Sequence, residues 1–80
     1  MYKNITCFNR YRSIKKFENA LLKSSNLNNF VKTKDNKNEI VYLNPDVLIS
    51  INKKTVNFLV FDYTNIQVIE KINQFSETLF

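Results

Sequence analysis

The sequence predicts an α+β domain of the order α-β-β-β-α, an antiparallel three-stranded sheet with two helices packed on one face. Three observations lead there. Apolar residues recur at helical spacing in two stretches, one starting near residue 12 and one near residue 64. Between them lie short segments rich in β-branched and aromatic residues, separated by turns of Asn, Asp and Lys. The chain has 80 residues with no repeat and no linker, so residues 1–80 form one domain.

The elements follow in order. In the first, Arg12 to Ser25, Ile14, Phe17, Ala20 and Leu21 make an apolar stripe with Leu22 beside it. Ser13 is the expected N-cap, with a start one turn earlier at Asn9 as the alternative, and Ser24-Ser25-Asn26 ends the helix. Phe30 to Lys34 alternates as a short strand, unless the first helix continues through it. Asp35-Asn36-Lys37-Asn38 reads as a turn. Glu39 to Asn52 holds two strand-like runs, Ile40–Leu43 and Val47–Ile51, around Asn44-Pro45-Asp46. Proline donates nothing to a ladder, so Pro45 marks a turn or an edge bulge. The segment is then one bent strand or two short ones, the second case adding a fourth strand. Asn52-Lys53-Lys54 turns the chain into Thr55–Tyr63, a strand apolar on both faces. The last helix is expected from Thr64, where Thr64-Asn65-Ile66-Gln67 matches a capping box. Ile66, Ile69, Ile72, Phe75 and Leu79 form its stripe, widened by Val68.

Composition excludes several classes of function. With no histidine and a single cysteine, Cys7, there is no internal disulfide, no ordinary zinc site and no usual nucleophile–base pair. With no glycine there is no phosphate-binding Gly-rich loop. The expectation is a protein that is not an enzyme and has no catalytic residues, no metal and no cofactor. Cys7 reads as a small buried hydrophobe, and Asp62 as a strand-end residue near a helix start. No stretch is apolar enough to span a membrane, and the start of the chain lacks a secretory signal, so a cytoplasmic protein without membrane insertion is expected.

Charge supplies the positive clue. The net charge is +5, and residues 1–16 carry Lys3, Arg10, Arg12, Lys15 and Lys16 with no acid. Residues 55–80 carry Lys71 against Asp62, Glu70 and Glu77. A basic half on a small domain points to a polyanion, most often nucleic acid, against the plainer reading of a solvated basic surface. Two helices cover one sheet face only. Alternation would put Phe30, Lys32 and Lys34 together on the other, where aromatic and basic side chains suit RNA. The candidate RNA-binding residues are Arg10, Arg12, Lys32, Lys34, Lys37, Lys53 and Lys54.

The order of elements and the run FLVFDYTNIQVIEKINQFSETLF at residues 58–80 resemble the nine-kilodalton subunit of the signal recognition particle, an Alu-domain family. The resemblance is carried by Phe58 to Phe61, the turn Asp62-Tyr63-Thr64, and Ile69-Glu70-Lys71-Ile72 leading to Phe75 and Leu79. It implies an α-β-β-β-α subunit that binds the Alu portion of the particle RNA as a heterodimer with the fourteen-kilodalton-type subunit. Its implied role is elongation arrest on the ribosome during protein targeting to the endoplasmic reticulum. It also implies RNA contacts from Lys32 and Lys34. Asp62 stands where the family has a basic residue, and Ser50 or Tyr42 stands at another such place. Two other readings remain: a small basic ribosomal protein of the large subunit, and a small inhibitor acting by direct contact.

Overall fold

Extended backbone pairs along five segments and not three. In the computed structural model, which describes residues 2–24 and 27–79, these are β1 (Lys3–Phe8), β2 (Val31–Asp35), β3 (Ile40–Leu43), β4 (Val47–Ile51) and β5 (Thr55–Val60). Helix α1 (Ile14–Ser24) follows β1, and α2 (Ile66–Leu79) follows β5. The strands form one sheet, ordered β1-β5-β4-β3-β2, with each neighbouring pair antiparallel. The expected three-stranded α-β-β-β-α domain is therefore corrected to a five-stranded β-α-β-β-β-β-α one.

Two physical causes account for the difference. Pro45 divides the third segment into β3 and β4. The Asn44 side-chain oxygen accepts from the N–H groups of Asp46 and Val47 at 2.8 and 2.7 Å, and Asn44 N–H donates to the Val47 carbonyl at 3.0 Å. That closes a two-residue hairpin loop. The other addition is β1, whose only inward apolar residues are Ile5 and Cys7. It is held by pairing with β5, from Lys3 opposite Val60 to Phe8 opposite Thr55, some fifty residues along the chain. Local patterning carries no record of that partner.

Both helices lie on one face of the sheet, as expected. Their buried residues are Ile14, Phe17 and Leu21 of α1, and Val68, Ile72, Phe75 and Leu79 of α2. These pack with Ile40 and Tyr42, Val47, Ile49 and Ile51, and Val56, Phe58 and Val60, which share the inner face by register. The α2 stripe is rotated from the expected one, leaving Ile66 exposed and burying Val68. Ser13 does cap α1, accepting from Lys16 N–H at 3.3 Å. A start at Asn9 is excluded, because Asn9 to Arg12 is a turn closed by Arg12 N–H on the Asn9 carbonyl at 3.0 Å. The expected end at Ser25-Asn26 lies outside the described residues. Helix α2 is capped by Asn65 and not by Thr64: Gln67 N–H donates to the Asn65 side chain at 3.1 Å, while Thr64 turns back to Asp62. Strand β5 stops at Val60, before the expected Tyr63, where Phe61 N–H donates to the Asp46 carbonyl at 2.9 Å.

The outer face is crossed by rows that the register defines. One runs Asn4–Leu59–Leu48–Leu43–Val31 and the next Thr6–Asn57–Ser50–Val41–Lys34. In the second row Thr6 donates to Asn57 at 2.7 Å, and Ser50 donates to Glu39, which also pairs with Lys34 at 2.9 Å.

Two buried polar side chains tie the elements together. Asn9, 3% exposed, donates to the carbonyls of Asn52 and Ser13 at 2.8 and 3.2 Å and accepts from Tyr11 N–H at 3.1 Å. It thereby locks the β1–α1 loop onto the β4–β5 turn. Glu18, 5% exposed on α1, accepts from the Tyr42 hydroxyl at 2.6 Å and from Lys32 at 2.8 Å. Burial pushes its carboxyl pKa up, but the bonds from Lys32 and Tyr42 outweigh this and hold it below the usual carboxylate range.

Asn9→Ala removes three hydrogen bonds and should lower stability by about 2–3 kcal/mol in a denaturant melt. Glu18 has a lowered folded pKa, so its contribution is present above the unfolded carboxylate value near 4.3 and is lost as pH falls through the folded value. Glu18→Gln should lower stability by about 1–3 kcal/mol at neutral pH. It should also flatten the acid limb of the stability–pH curve below about pH 4.5; an unchanged acid limb would show that Glu18 is not the group responsible.

Candidate nucleic-acid interface

Four chain segments meet at one end of the sheet. Strand β1 ends there at Phe8, β2 turns into β3 through Lys37-Asn38, β4 turns into β5 through Lys53-Lys54, and α1 begins at Ile14. The turns are tight because side chains or paired backbone close them. Asn36 accepts from the N–H groups of Asn38 and Glu39 at 2.8 and 3.0 Å, and Asn52 N–H donates to the Thr55 carbonyl at 2.8 Å. Asn9 N–H bonds the Lys54 carbonyl at 2.9 Å, which holds the β1–α1 loop against the β4–β5 turn.

This convergence gathers the positive charge. Phe8, Asn9, Arg10, Arg12, Lys53 and Lys54 line a cleft of about 810 Å³. A shallower depression of about 290 Å³ continues from Arg12 and Lys53 to Lys15, Lys37 and the start of α1. Arg10, Arg12, Lys37, Lys53 and Lys54 form no ion pair with a described residue. The Arg10 guanidinium lies 5.0 Å from the Tyr11 ring and donates to its hydroxyl at 3.0 Å, a neutral contact that leaves its charge uncompensated. Arg12 has φ 53°, the one non-glycine residue in the left-handed region among those described. That conformation costs about 1–2 kcal/mol for a residue with a Cβ. Arg12 closes the turn that begins at Asn9, and such strain recurs at functional positions. Asp46 and Asp62 lie at the opposite end of the strands.

Five of the seven sequence-derived candidates thus come together, and Lys32 and Lys34 do not join them. A bulge between Lys32 and Lys34 breaks the alternation of β2. Lys32, opposite Tyr42, faces the helices, and its ammonium is engaged by Glu18 and by Asp35 at 3.4 Å. The bond to Glu18 raises its pKa, despite burial acting the other way. Phe30 also packs inward, with the Lys71 ammonium 5.6 Å from its ring. Lys34 alone reaches the outer face, where it pairs with Glu39; the bonds from Ser50 and then Lys34 lower the Glu39 pKa. The basic–aromatic outer face expected from Phe30, Lys32 and Lys34 is therefore corrected to a leucine row beside a paired polar row.

Sequence reasoning missed Phe8, 85% exposed at the rim of the cleft, and counted Lys15 in the basic half without making it a candidate; Lys15 lies in the depression, its ammonium 3.7 Å from Glu18 and 3.8 Å from Asp35. The signal for Phe8 was an apolar residue out of phase with Ile5 and Cys7. Cys7 faces inward and is half-buried, and burial raises its thiol pKa, which disfavours the reactive thiolate. Among the described residues no three His, Cys, Asp or Glu side chains gather as a metal site would need, and no helix is long and apolar enough to cross a membrane.

Comparison with protein-family models, with curated proteins and with solved structures found no match to this chain.

Proposed function

We propose that the chain is a non-enzymatic, cytoplasmic RNA-binding protein whose RNA seat is the basic end of the sheet. The observation that carries this is the convergence of Arg10, Arg12, Lys53 and Lys54 around one cleft, with Lys37 in the adjoining depression, none of them ion-paired with a described residue. Unpaired cations held on a rigid scaffold attract phosphate and release its counterions. The α1 N-terminus beside Lys15 adds a partial positive charge of the same sign. The narrower form of the proposal is a subunit of the signal recognition particle paired with a fourteen-kilodalton-type partner. It stands on the resemblance at Phe58–Leu79 alone, since the α-β-β-β-α order it implied is not the order found.

The leucine row favours a second, compatible element, a protein partner on the outer face. Leu43, Leu48 and Leu59 are only half-buried, and Val31 is 65% exposed. A row of apolar side chains across a bare sheet is suited to another chain. If a partner copy covers it, the melting temperature should rise with protein concentration and Leu48→Lys should abolish that rise; a monomer in sedimentation at all concentrations would remove this element.

RNA affinity should fall with salt, with a slope of log affinity on log salt of about −2 to −4, because five cations release about 0.7 counterions each on a single strand. Arg12→Gly combined with Lys53→Ala should weaken binding at least tenfold and reduce that slope by about 1–2. Arg12→Gly alone relieves the left-handed strain, so stability should hold or rise by up to about 1 kcal/mol while affinity falls. Lys34→Ala should leave affinity unchanged. A salt-independent affinity, or a Lys34→Ala loss equal to that of Arg12→Gly, would overturn the proposal.

A further inference from the structure

Phe8 stands in the cleft in a manner that the packing of the protein does not require, and we infer that its ring is a stacking platform for an unpaired base, which makes the site selective for single-stranded RNA. This rests on the RNA-binding reading above and goes beyond it by naming the form of RNA. Phe17, Phe58 and Phe75 are buried in the core, whereas Phe8 is 85% exposed. It is the last residue of β1, an edge strand, so it has one cross-strand neighbour, Thr55, and open space on the other side. Scattered exposed apolar residues are ordinary on a protein surface. Phe8 differs because the other walls of its cleft are Asn9, Arg10, Arg12, Lys53 and Lys54. A ring face beside several fixed cations is the pairing that single-strand sites use: the cations take phosphates and the ring takes a base. In a duplex the base faces are already covered by their neighbours, so only the cations would be used. The cleft, about 810 Å³, is of the size that encloses a small organic ligand.

The ring is solvent-exposed and the core does not depend on it, so Phe8→Ala should fold with an unchanged melting temperature. Binding is measured to an unstructured oligouridine of about 12 nucleotides, within the span of one small domain. The same measurement is made on an RNA duplex of equal length and on an oligomer of the same backbone carrying no bases. The wild-type protein should bind the oligouridine more tightly than either of the others. Phe8→Ala should weaken oligouridine binding roughly five- to a hundredfold and leave the duplex and base-free affinities unchanged. Phe8→Trp should retain the preference, and Lys53→Ala should lower all three affinities together. If Phe8→Ala leaves oligouridine binding intact, or the wild type binds duplex as well as single strand, the stacking inference is overturned while RNA binding stands. If the wild type binds none of the three, the RNA-binding reading itself fails.

Discussion

A buried carboxylate organises the β2 side of this domain. Glu18 projects from α1 toward the sheet and is almost inaccessible to water. A charge in that place is tolerable only with partners, and Tyr42 from β3 and Lys32 from β2 supply them. The demand propagates outward. Lys32 must face the helices, and Asp35, also bonded to Lys32 and Lys15, faces them too. The bulge between Lys32 and Lys34 then delivers Lys34 to the opposite face. An edge strand with inward charges and a bulge is a poor template for further pairing, so β2 is closed to strand addition by the same interaction that docks α1.

The constraint also separates two groups among the basic residues. Lys15, Lys32 and Lys34 are absorbed by Glu18, Asp35 and Glu39, and their charge is spent on holding α1, β2 and β3 together. Arg10, Arg12, Lys37, Lys53 and Lys54 sit on loops and form no ion pair with a described residue. Helices and strands hold the core, and the loops at their ends hold the cations that no described acid pairs.

Building those loops without glycine has consequences. All three two-residue hairpin loops, at Lys37-Asn38, Pro45-Asp46 and Lys53-Lys54, turn without a residue at positive φ. Asn36 and Asn44 compensate by bonding their side-chain oxygens to the turn backbone, while Asn52 closes its turn through its own N–H. The three asparagines recur at the start of each hairpin loop, which gives a structural role to residues that composition alone presents as surface filler. Only at Arg12 does the chain accept the left-handed conformation, and there the strain falls on a cation of the cleft.

Much of this was legible in the sequence. Helical periodicity located α1 and α2, β-branched runs located β3, β4 and β5, and the count of Arg and Lys showed that the first half of the chain is basic. Those features are local: the period of an apolar stripe, the preference of Val, Ile and Phe for a pleated surface, and a count of charges all act within a few residues. Tertiary structure alone decided the rest. Strand β1 exists because β5, about fifty residues away, offers it a ladder. The face that Lys32 occupies follows from a carboxylate on another element and from a bulge of one residue. The meeting of Arg10, Arg12, Lys37, Lys53 and Lys54 follows from antiparallel strands returning their turns to the same end of the sheet. Alternation within a strand says which residues share a face; which face is covered, and which cations find an acid there, depends on what packs against it.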